Sequence, residues 1–239
     1  MNTNALPYAL GAILLGAVGI WFHDFAMHWQ PVPAGFPLRT QFAIVTGLLL
    51  ILGGGETLSG KFARAGATLL ATIYGLWVLI LHVPIIVTKP TDLGAWNGVA
   101  EIVLMTAGAV ALYCGIRGTR GKATEAACVA TGLCALVFGT THFKYAQFTA
   151  SMVPDWIPGG GLFWAYATGF VHVLAGLSLV SGIRAQLGAT VLAAMMAMFV
   201  LLVHLPRVWA SPGEQLEWIM LGVALSLSGA AWLVRKYAA

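Results

Sequence analysis

The chain has 239 residues, of which 59% are hydrophobic and only 8% are charged. A soluble domain carries about 45–50% apolar and about 25% charged residues, because its exterior must face water. The composition therefore excludes an ordinary soluble enzyme. The net charge of +4 comes from basic residues that stand singly between apolar runs, which is typical of membrane topology signals. It does not indicate a nucleic-acid-binding patch.

Eight apolar runs follow one another along the sequence, each close to the about 20 residues that a helix needs to cross a bilayer. Lipid offers no partner to unpaired backbone groups, so we predict helices. The first run has no basic residue before it and no cleavage pattern after it, which favours a retained membrane helix over a signal peptide. The predicted helices cover residues 6–28, 40–58, 63–87, 95–116, 123–149, 161–182, 186–209 and 215–235.

The distribution of Lys and Arg predicts that both termini of this multi-pass protein lie in the cytoplasm. Two proline-rich connections, residues 31–37 and 154–158, then lie on the outer face. Several tryptophans fall near that face, as in an interfacial aromatic belt. The basic residues expected inside are Lys61, Arg64, Arg117, Arg120, Lys122, Arg184, Arg235 and Lys236, and those expected outside are Arg39, Lys89, Lys144 and Arg207.

The sequence pattern repeats itself after 122 residues. This shift pairs His82 with His204 and Pro84 with Pro206, which chance matching of apolar helices does not readily produce. We predict a four-helix repeat over residues 1–116, a cytoplasmic linker over 117–122 and a second four-helix repeat over 123–239. Four helices return the chain to its starting side, so the two repeats are expected to be parallel, with a pseudo-twofold axis along the membrane normal. The predicted fold class is an all-α polytopic membrane protein with eight transmembrane helices.

The second repeat contains a pattern of glycines, prolines and a His-Phe pair, at Gly139, His142, Phe143, Val153, Pro154, Pro158, Gly169 and Gly176. With this pattern it resembles the DoxX-like family of bacterial membrane proteins, and the first repeat looks like a diverged copy. The resemblance implies a four-helix bundle in the bacterial cytoplasmic (inner) membrane. The family includes a subunit linked to thiosulfate oxidation with quinone, and many members with no assigned activity. Many members carry a Glu three residues after the glycine of the second helix, where this chain has Leu50 and His172, so a role of that carboxylate cannot be transferred.

Two histidines, His82 and His204, each stand two residues before a proline inside a predicted helix. Proline removes one backbone hydrogen bond and frees a carbonyl, which an imidazole N–H can satisfy. Alternatively these histidines are ligands, since neutral imidazole binds haem iron, copper or zinc. No His-x-x-His or His-x-x-x-His spacing supports a metal site, so the ligands would have to come from different helices.

Four further ionisable residues are candidates for a site because charges inside a bilayer are costly. His23 and His142 stand before the proline-rich connections, where each either fastens the loop or contacts a quinone carbonyl. Glu101 is expected either to pair with a histidine, to stay neutral, or to relay protons. We expect one polar pocket that opens to the outer face, walled by the third and seventh helices, capped by the two proline-rich connections and lined by His82, His204, His142 and His23. The full set of candidate cofactor-binding residues is His82, His204, His142, His23, Glu101 and His172.

Three functions remain open from the sequence. The first is a redox-associated, quinone-linked membrane subunit with a His-lined pocket on the outer face. The second is a non-enzymatic assembly or structural subunit of a larger membrane complex, and the third is a transporter of small molecules or metals. The cofactor stays unknown, with quinone favoured over haem or copper. The expected partners are the lipid bilayer and other membrane or periplasmic subunits, with no nucleic acid.

Overall fold

The computed structural model describes residues 2–238, which contain helices and no strand. Eight of the helices in this range are long and apolar enough to cross a membrane, as in a multi-pass membrane protein, and this part of the prediction is confirmed. They are α1 (Leu6–Trp21, after a 3-10 turn at Thr3–Ala5), α2 (Arg39–Leu58), α3 (Ala63–Thr88), α4 (Leu93–Arg117), α5 (Lys122–Lys144), α6 (Gly161–Ser181), α7 (Ala185–Ala210) and α8 (Gln215–Val234).

The first helix ends at Trp21, seven residues before the predicted boundary at residue 28. His23 adopts a left-handed backbone conformation with φ of 56°, which a right-handed helix cannot continue. The Asp24 carboxylate then accepts the backbone N–H of Phe25 and the guanidinium N–H of Arg39, both at 2.7 Å. This local bonding replaces the next helical turn.

The fifth helix is also shorter than predicted. It ends at Lys144, and a separate short helix, Ala146–Ser151, follows Tyr145. The apolar pattern continues through this junction, so composition alone could not reveal the break.

Helices α4 and α8 form the centre of the protein. Of the residues in their most apolar stretches, 61% and 72% are buried, against 22–50% in the other six helices. The two helices pack on each other, and buried residues occur on all sides of each. A membrane helix that is apolar on all sides and surrounded by protein belongs to the interior of the bundle.

The remaining helices surround this pair in two similar sets. Helix α1 packs on α2 and α8, while α5 packs on α6 and α4. Likewise α3 packs on α2 and α4, while α7 packs on α6 and α8. Each contact in the first half therefore has a counterpart in the second, although the rotation axis that relates the halves stays a prediction.

Glycines bring the first two helices of each half into close contact. A Cβ atom placed on Gly16 of α1 would collide with the carbonyl oxygen of Gly47 on α2. In the second half, a Cβ on Gly139 of α5 would lie 2.9 Å from the carbonyl oxygen of Gly169 on α6. Membrane helices associate through such small-residue surfaces because their backbones can then approach closely.

The bundle has two distinct ends. The terminal end holds both termini and the connections 59–62, 118–121 and 182–184, and the backbone N–H of Asn2 donates to Leu58 there, at 3.2 Å. The proline-rich end holds the connections 22–38, 89–92, 145–160 and 211–214. The Gln215 side chain donates to the carbonyl of Phe25 at this end, at 3.3 Å, and so ties the last helix to the first long connection.

The orientation is testable with single cysteines, because Cys114, Cys128 and Cys134 are all buried. Cysteines that replace Ala34 and Asp155 at the proline-rich end should react with a membrane-impermeant maleimide applied to intact cells. A cysteine that replaces Thr119 should react only after the cells are broken. The opposite labelling pattern would contradict the cytoplasmic placement of the termini.

Candidate functional site

Each of α3 and α7 contains a widened π-helical segment near the proline-rich end. The segments are Trp77–His82 and Val200–His204, and a proline follows each of them two residues after the histidine. In both, the N–H of the residue after the histidine bonds to a carbonyl five residues earlier. Proline has no N–H to donate, and π-helical turns are frequent at functional sites. The histidines noted in the sequence thus end two irregular turns.

His82 does not bond to a carbonyl freed by Pro84. Its Nε2 lies 3.1 Å from the carbonyl oxygen of Trp29, which belongs to the turn Met27–Trp29. A carbonyl only accepts, so Nε2 carries the proton and, in the neutral ring, Nδ1 is left as an acceptor. Gly98 of α4 lies next to the imidazole, since a Cβ placed there would be 3.6 Å from this Nδ1, an ordinary van der Waals contact.

Glu101 lies on α4 beside the same turn. One of its oxygens, Oε2, is buried without a hydrogen-bond partner among the described residues, and Nε2 of the His28 imidazole lies 3.8 Å from it. The His28 side chain is 56% exposed, whereas that of Glu101 is 13% exposed. The His28 ring also packs on the ring of Trp29, with the ring centroids 3.6 Å apart and the ring planes tilted by 31°. We call these four residues, His28, Trp29, His82 and Glu101, the Glu101 cluster.

The Glu101 cluster has the parts of a proton-exchange site. A carboxylate in a membrane span is costly unless it is paired or protonated. Glu101 is therefore either a neutral acid or one half of an ion pair with protonated His28. His28 is exposed, so the buried carboxyl group of Glu101 has an ionisable neighbour at the surface.

A second pair of histidines lies between α5, α6 and α7. The rings of His142 and His172 are 4.8 Å apart, and Phe199 is near both, at 6.3 and 6.2 Å. Each Nδ1 bonds to a carbonyl of its own helix, that of Phe138 at 2.8 Å and that of Thr168 at 2.9 Å. In the neutral rings both Nε2 atoms are thus acceptors. The Thr141 hydroxyl donates to Asn97 at 3.0 Å and so links α5 to α4, one turn from Glu101.

His204 belongs to a third location. Its Nδ1 is buried without a hydrogen-bond partner in residues 2–238. One turn later, Arg207 of α7 forms two hydrogen bonds with Glu217 of α8, at 2.8 and 2.6 Å. The Glu217 side chain is 11% exposed and that of Arg207 is 37% exposed. This ion pair joins the two helices at the proline-rich end.

The single pocket expected between the third and seventh helices is therefore replaced by separate clusters. Helices α3 and α7 pack on opposite partners of the central α4–α8 pair. His82 meets Glu101, His142 meets His172, and His204 lies near Arg207, while His23 is exposed after the end of α1. A cofactor-binding role for each of these residues stays a prediction.

The sequence marked His28 as an ionisable residue in an apolar run but did not predict its contacts with Trp29 and Glu101. It also did not predict the pair of Arg207 with Glu217. The aromatic run around His28 was visible, but it had been assigned to the end of a helix. Arg207 and Glu217 were both expected near the outer face, but nothing in the sequence indicated that they pair. A search for acid–base pairs close to predicted membrane boundaries would have found this pair.

An aromatic pocket opens beside the second histidine pair, at the junction of α5 with the short helix. Its volume is about 420 Å³, and Phe143 stacks on Tyr166 at 6.2 Å along one wall. This volume lies in the range of small-molecule sites, about 300–1,000 Å³. The lining residues are Phe143, Lys144, Tyr145, Ala146, Gln147, Phe148 and Tyr166.

Metal binding has little geometric support. Within residues 2–238, no three His, Cys, Asp or Glu side chains come together in a way that could hold a metal ion. The two Nε2 atoms of His142 and His172 would supply at most two ligands, fewer than the three or four protein ligands typical of zinc sites.

Comparison with known proteins gives one match. A family model described as "Domain of unknown function (DUF8561)" matches residues 131–235, which include most of α5 and continue through α8. No curated protein matches the chain, and no solved structure matches it. These results do not bear on the DoxX-like resemblance, which stays a prediction.

Proposed function

We propose that this protein is a multi-pass subunit of a quinone-linked redox system in the bacterial cytoplasmic membrane, with both termini in the cytoplasm. The observation that carries the proposal is the Glu101 cluster, in which a buried carboxyl with an unpartnered oxygen lies 3.8 Å from an exposed imidazole. The DoxX-like resemblance supports the same class of function, since that family includes a quinone-associated subunit.

The chemistry of quinones suits these groups. A quinone takes up two electrons and two protons on reduction, and the quinol releases them on oxidation. In this proposal Glu101 exchanges a proton with the bound headgroup, and His28 exchanges it with the outer surface. The exposed ring of His28, which packs on the buried ring of Trp29, offers a flat face for the headgroup. A partner subunit of the dehydrogenase or oxidase class would supply or accept the electrons.

Substitution of Glu101 by Gln tests this role, because glutamine keeps the size of the side chain but neither ionises nor releases a proton. A hydrogen bond to a charged group contributes about 1.5–3 kcal/mol, so the affinity for decylubiquinone should fall about 10–100-fold. The affinity can be measured by isothermal titration calorimetry on the purified protein in detergent. Glu125→Gln, an exposed carboxylate in the first turn of α5 at the terminal end, is the matched control and should bind as the wild type does.

A structural subunit is the second candidate, and exposed aromatic side chains at the proline-rich end favour it. Trp156 is 65% exposed and Trp209 is 89% exposed, which suits either the lipid interface or a docked subunit. Purification in mild detergent separates the two candidates. If other subunits co-purify with the wild type and the wild type does not bind decylubiquinone, the structural role is favoured and the quinone proposal is contradicted.

A further inference from the structure

A basic pocket lies at the terminal end of the bundle, opposite the proline-rich end. It is formed where the α2–α3 connection meets the last turn of α4, and its volume is about 400 Å³. Three of the five lining residues are cationic. The basic pocket is lined by Gly60, Lys61, Arg64, Ile116 and Arg117.

No acidic side chain lines the basic pocket. The ion pairs of residues 2–238 all lie at the proline-rich end, where Asp24, Glu101 and Glu217 are the acidic partners. The carboxylate of Glu56, in the last turn of α2, is not within ion-pair distance of Lys61 or Arg64. Three like charges around one opening repel one another unless an anion neutralises them.

The position of two of these cations adds to the positive potential. Lys61 precedes α3 and Arg64 lies in its first turn, which contains no acidic residue. The unpaired N–H groups at the start of a helix carry a partial positive charge, which favours anions and disfavours cations. Lysine and arginine at the start of this helix therefore interact unfavourably with its partial positive charge. A bound anion would interact favourably with the helix start and with both cations.

Apolar side chains surround the opening. Ile116 within the pocket is 40% exposed, and neighbouring Phe62 is 50% exposed, with the Lys61 ammonium 5.1 Å from its ring centre. The pocket lies at the ends of membrane-spanning helices, so a charged headgroup here would leave its acyl chains along their apolar surfaces. Basic pockets between helices on the cytoplasmic side of membrane proteins bind the headgroups of anionic lipids.

We infer that the basic pocket binds the phosphate group of an anionic phospholipid from the leaflet at the terminal end. Lys61, Arg64 and Arg117 supply the charges, and the Arg117 guanidinium is positioned by the Tyr113 hydroxyl, its acceptor at 3.2 Å. A phosphate group could also come from a soluble molecule, so the experiment must separate these two sources.

The second half of the chain provides the matched control. At the shift of 122 residues, Ile183 and Gln186 stand where the first half has Lys61 and Arg64. The double variant K61I/R64Q therefore gives the first connection the residues of its counterpart. Arg184→Gln removes one exposed basic residue from the connection between α6 and α7, so it controls for a general loss of positive charge at this end.

The test is binding of the purified full-length protein to phosphatidylcholine vesicles with and without phosphatidylglycerol, followed by native mass spectrometry of retained lipid. The wild type and R184Q should retain phosphatidylglycerol. Each basic residue near an anionic surface contributes about 1 kcal/mol, so K61I/R64Q should bind it roughly 30-fold more weakly. Arg117→Gln is a second variant, with its substitution in α4, and it should also weaken the binding of phosphatidylglycerol.

Three results would overturn the inference. Equal retention of phosphatidylglycerol by the wild type, K61I/R64Q and R117Q would show that the pocket does not hold lipid. A loss of binding in R184Q as large as that in K61I/R64Q would show the same. The same measurements with inorganic phosphate separate the sources. Phosphate binding that depends on Lys61 and Arg64, without selectivity for phosphatidylglycerol over phosphatidylcholine, would assign the pocket to a soluble phosphate compound and overturn the lipid source.

Discussion

Leucine in place of Gly16 should separate α1 from α2 and strongly destabilise the protein. A Cβ at this position collides with the carbonyl oxygen of Gly47 and lies 3.1 Å from the backbone nitrogen of Ile51. Overpacking costs about 1–3 kcal/mol where side chains can move, and more where they cannot. Here the obstacle is backbone, so we expect a loss above that range. Thermal unfolding in detergent, followed by circular dichroism, measures it.

Gly55→Leu is the control for Gly16→Leu. Gly55 lies in α2, and nothing is within 4 Å of a Cβ placed there. Leucine also has the higher helix propensity, by up to about 1 kcal/mol, so this variant should be as stable as the wild type or more stable. Gly139→Leu, at the corresponding contact of α5 with α6, should behave like Gly16→Leu. Similar unfolding temperatures for all three variants would contradict glycine-dependent packing.

Alanine in place of Arg207 should also lower the free energy of unfolding, because it leaves the carboxylate of Glu217 buried without a partner. The loss should be smaller than the about 3–5 kcal/mol seen when a fully buried pair is broken, because Arg207 is partly exposed. Thermal unfolding of purified R207A gives the size of the effect.

A double substitution distinguishes an unpaired charge from lost packing. In R207M/E217M both charges are replaced by flexible apolar side chains, and a buried pair replaced in this way is often neutral in stability. The double variant should therefore be more stable than R207A. If R207M/E217M unfolds as readily as R207A, the stability at this position comes from the arginine side chain itself and the account of the ion pair is wrong.

The helices could be predicted well from the sequence because a membrane span needs only a long apolar run. Helix boundaries were also predicted correctly where glycine, proline or a charged residue interrupts the apolar run, as at the start of α3 and of α6. The end of α1 was missed because it depends on the left-handed conformation of His23 and on the bond from Arg39 to Asp24, which span a long connection. Apolar composition carries no trace of either.

The candidate site was less predictable, because its contacts join residues far apart in the chain. His82 bonds to the carbonyl of Trp29, 53 positions earlier. Its spacing from Pro84 indicated a backbone carbonyl freed by the proline, but it did not indicate which carbonyl the imidazole contacts. Glu101 was noted for its charge, whereas its neighbour His28 had been assigned to a helix end. Sequence reasoning therefore identified residues that need a partner without identifying the partners.

We expect a quinone headgroup to bind at the Glu101 cluster. Photolabelling with an azidoquinone, followed by peptide mapping, locates the bound quinone. We predict labelling within residues 27–29 or 97–101, and loss of this label when Glu101 is replaced by Gln or when excess decylubiquinone competes. Label confined to residues 143–148, in the aromatic pocket, or label that decylubiquinone fails to displace, would contradict the claim.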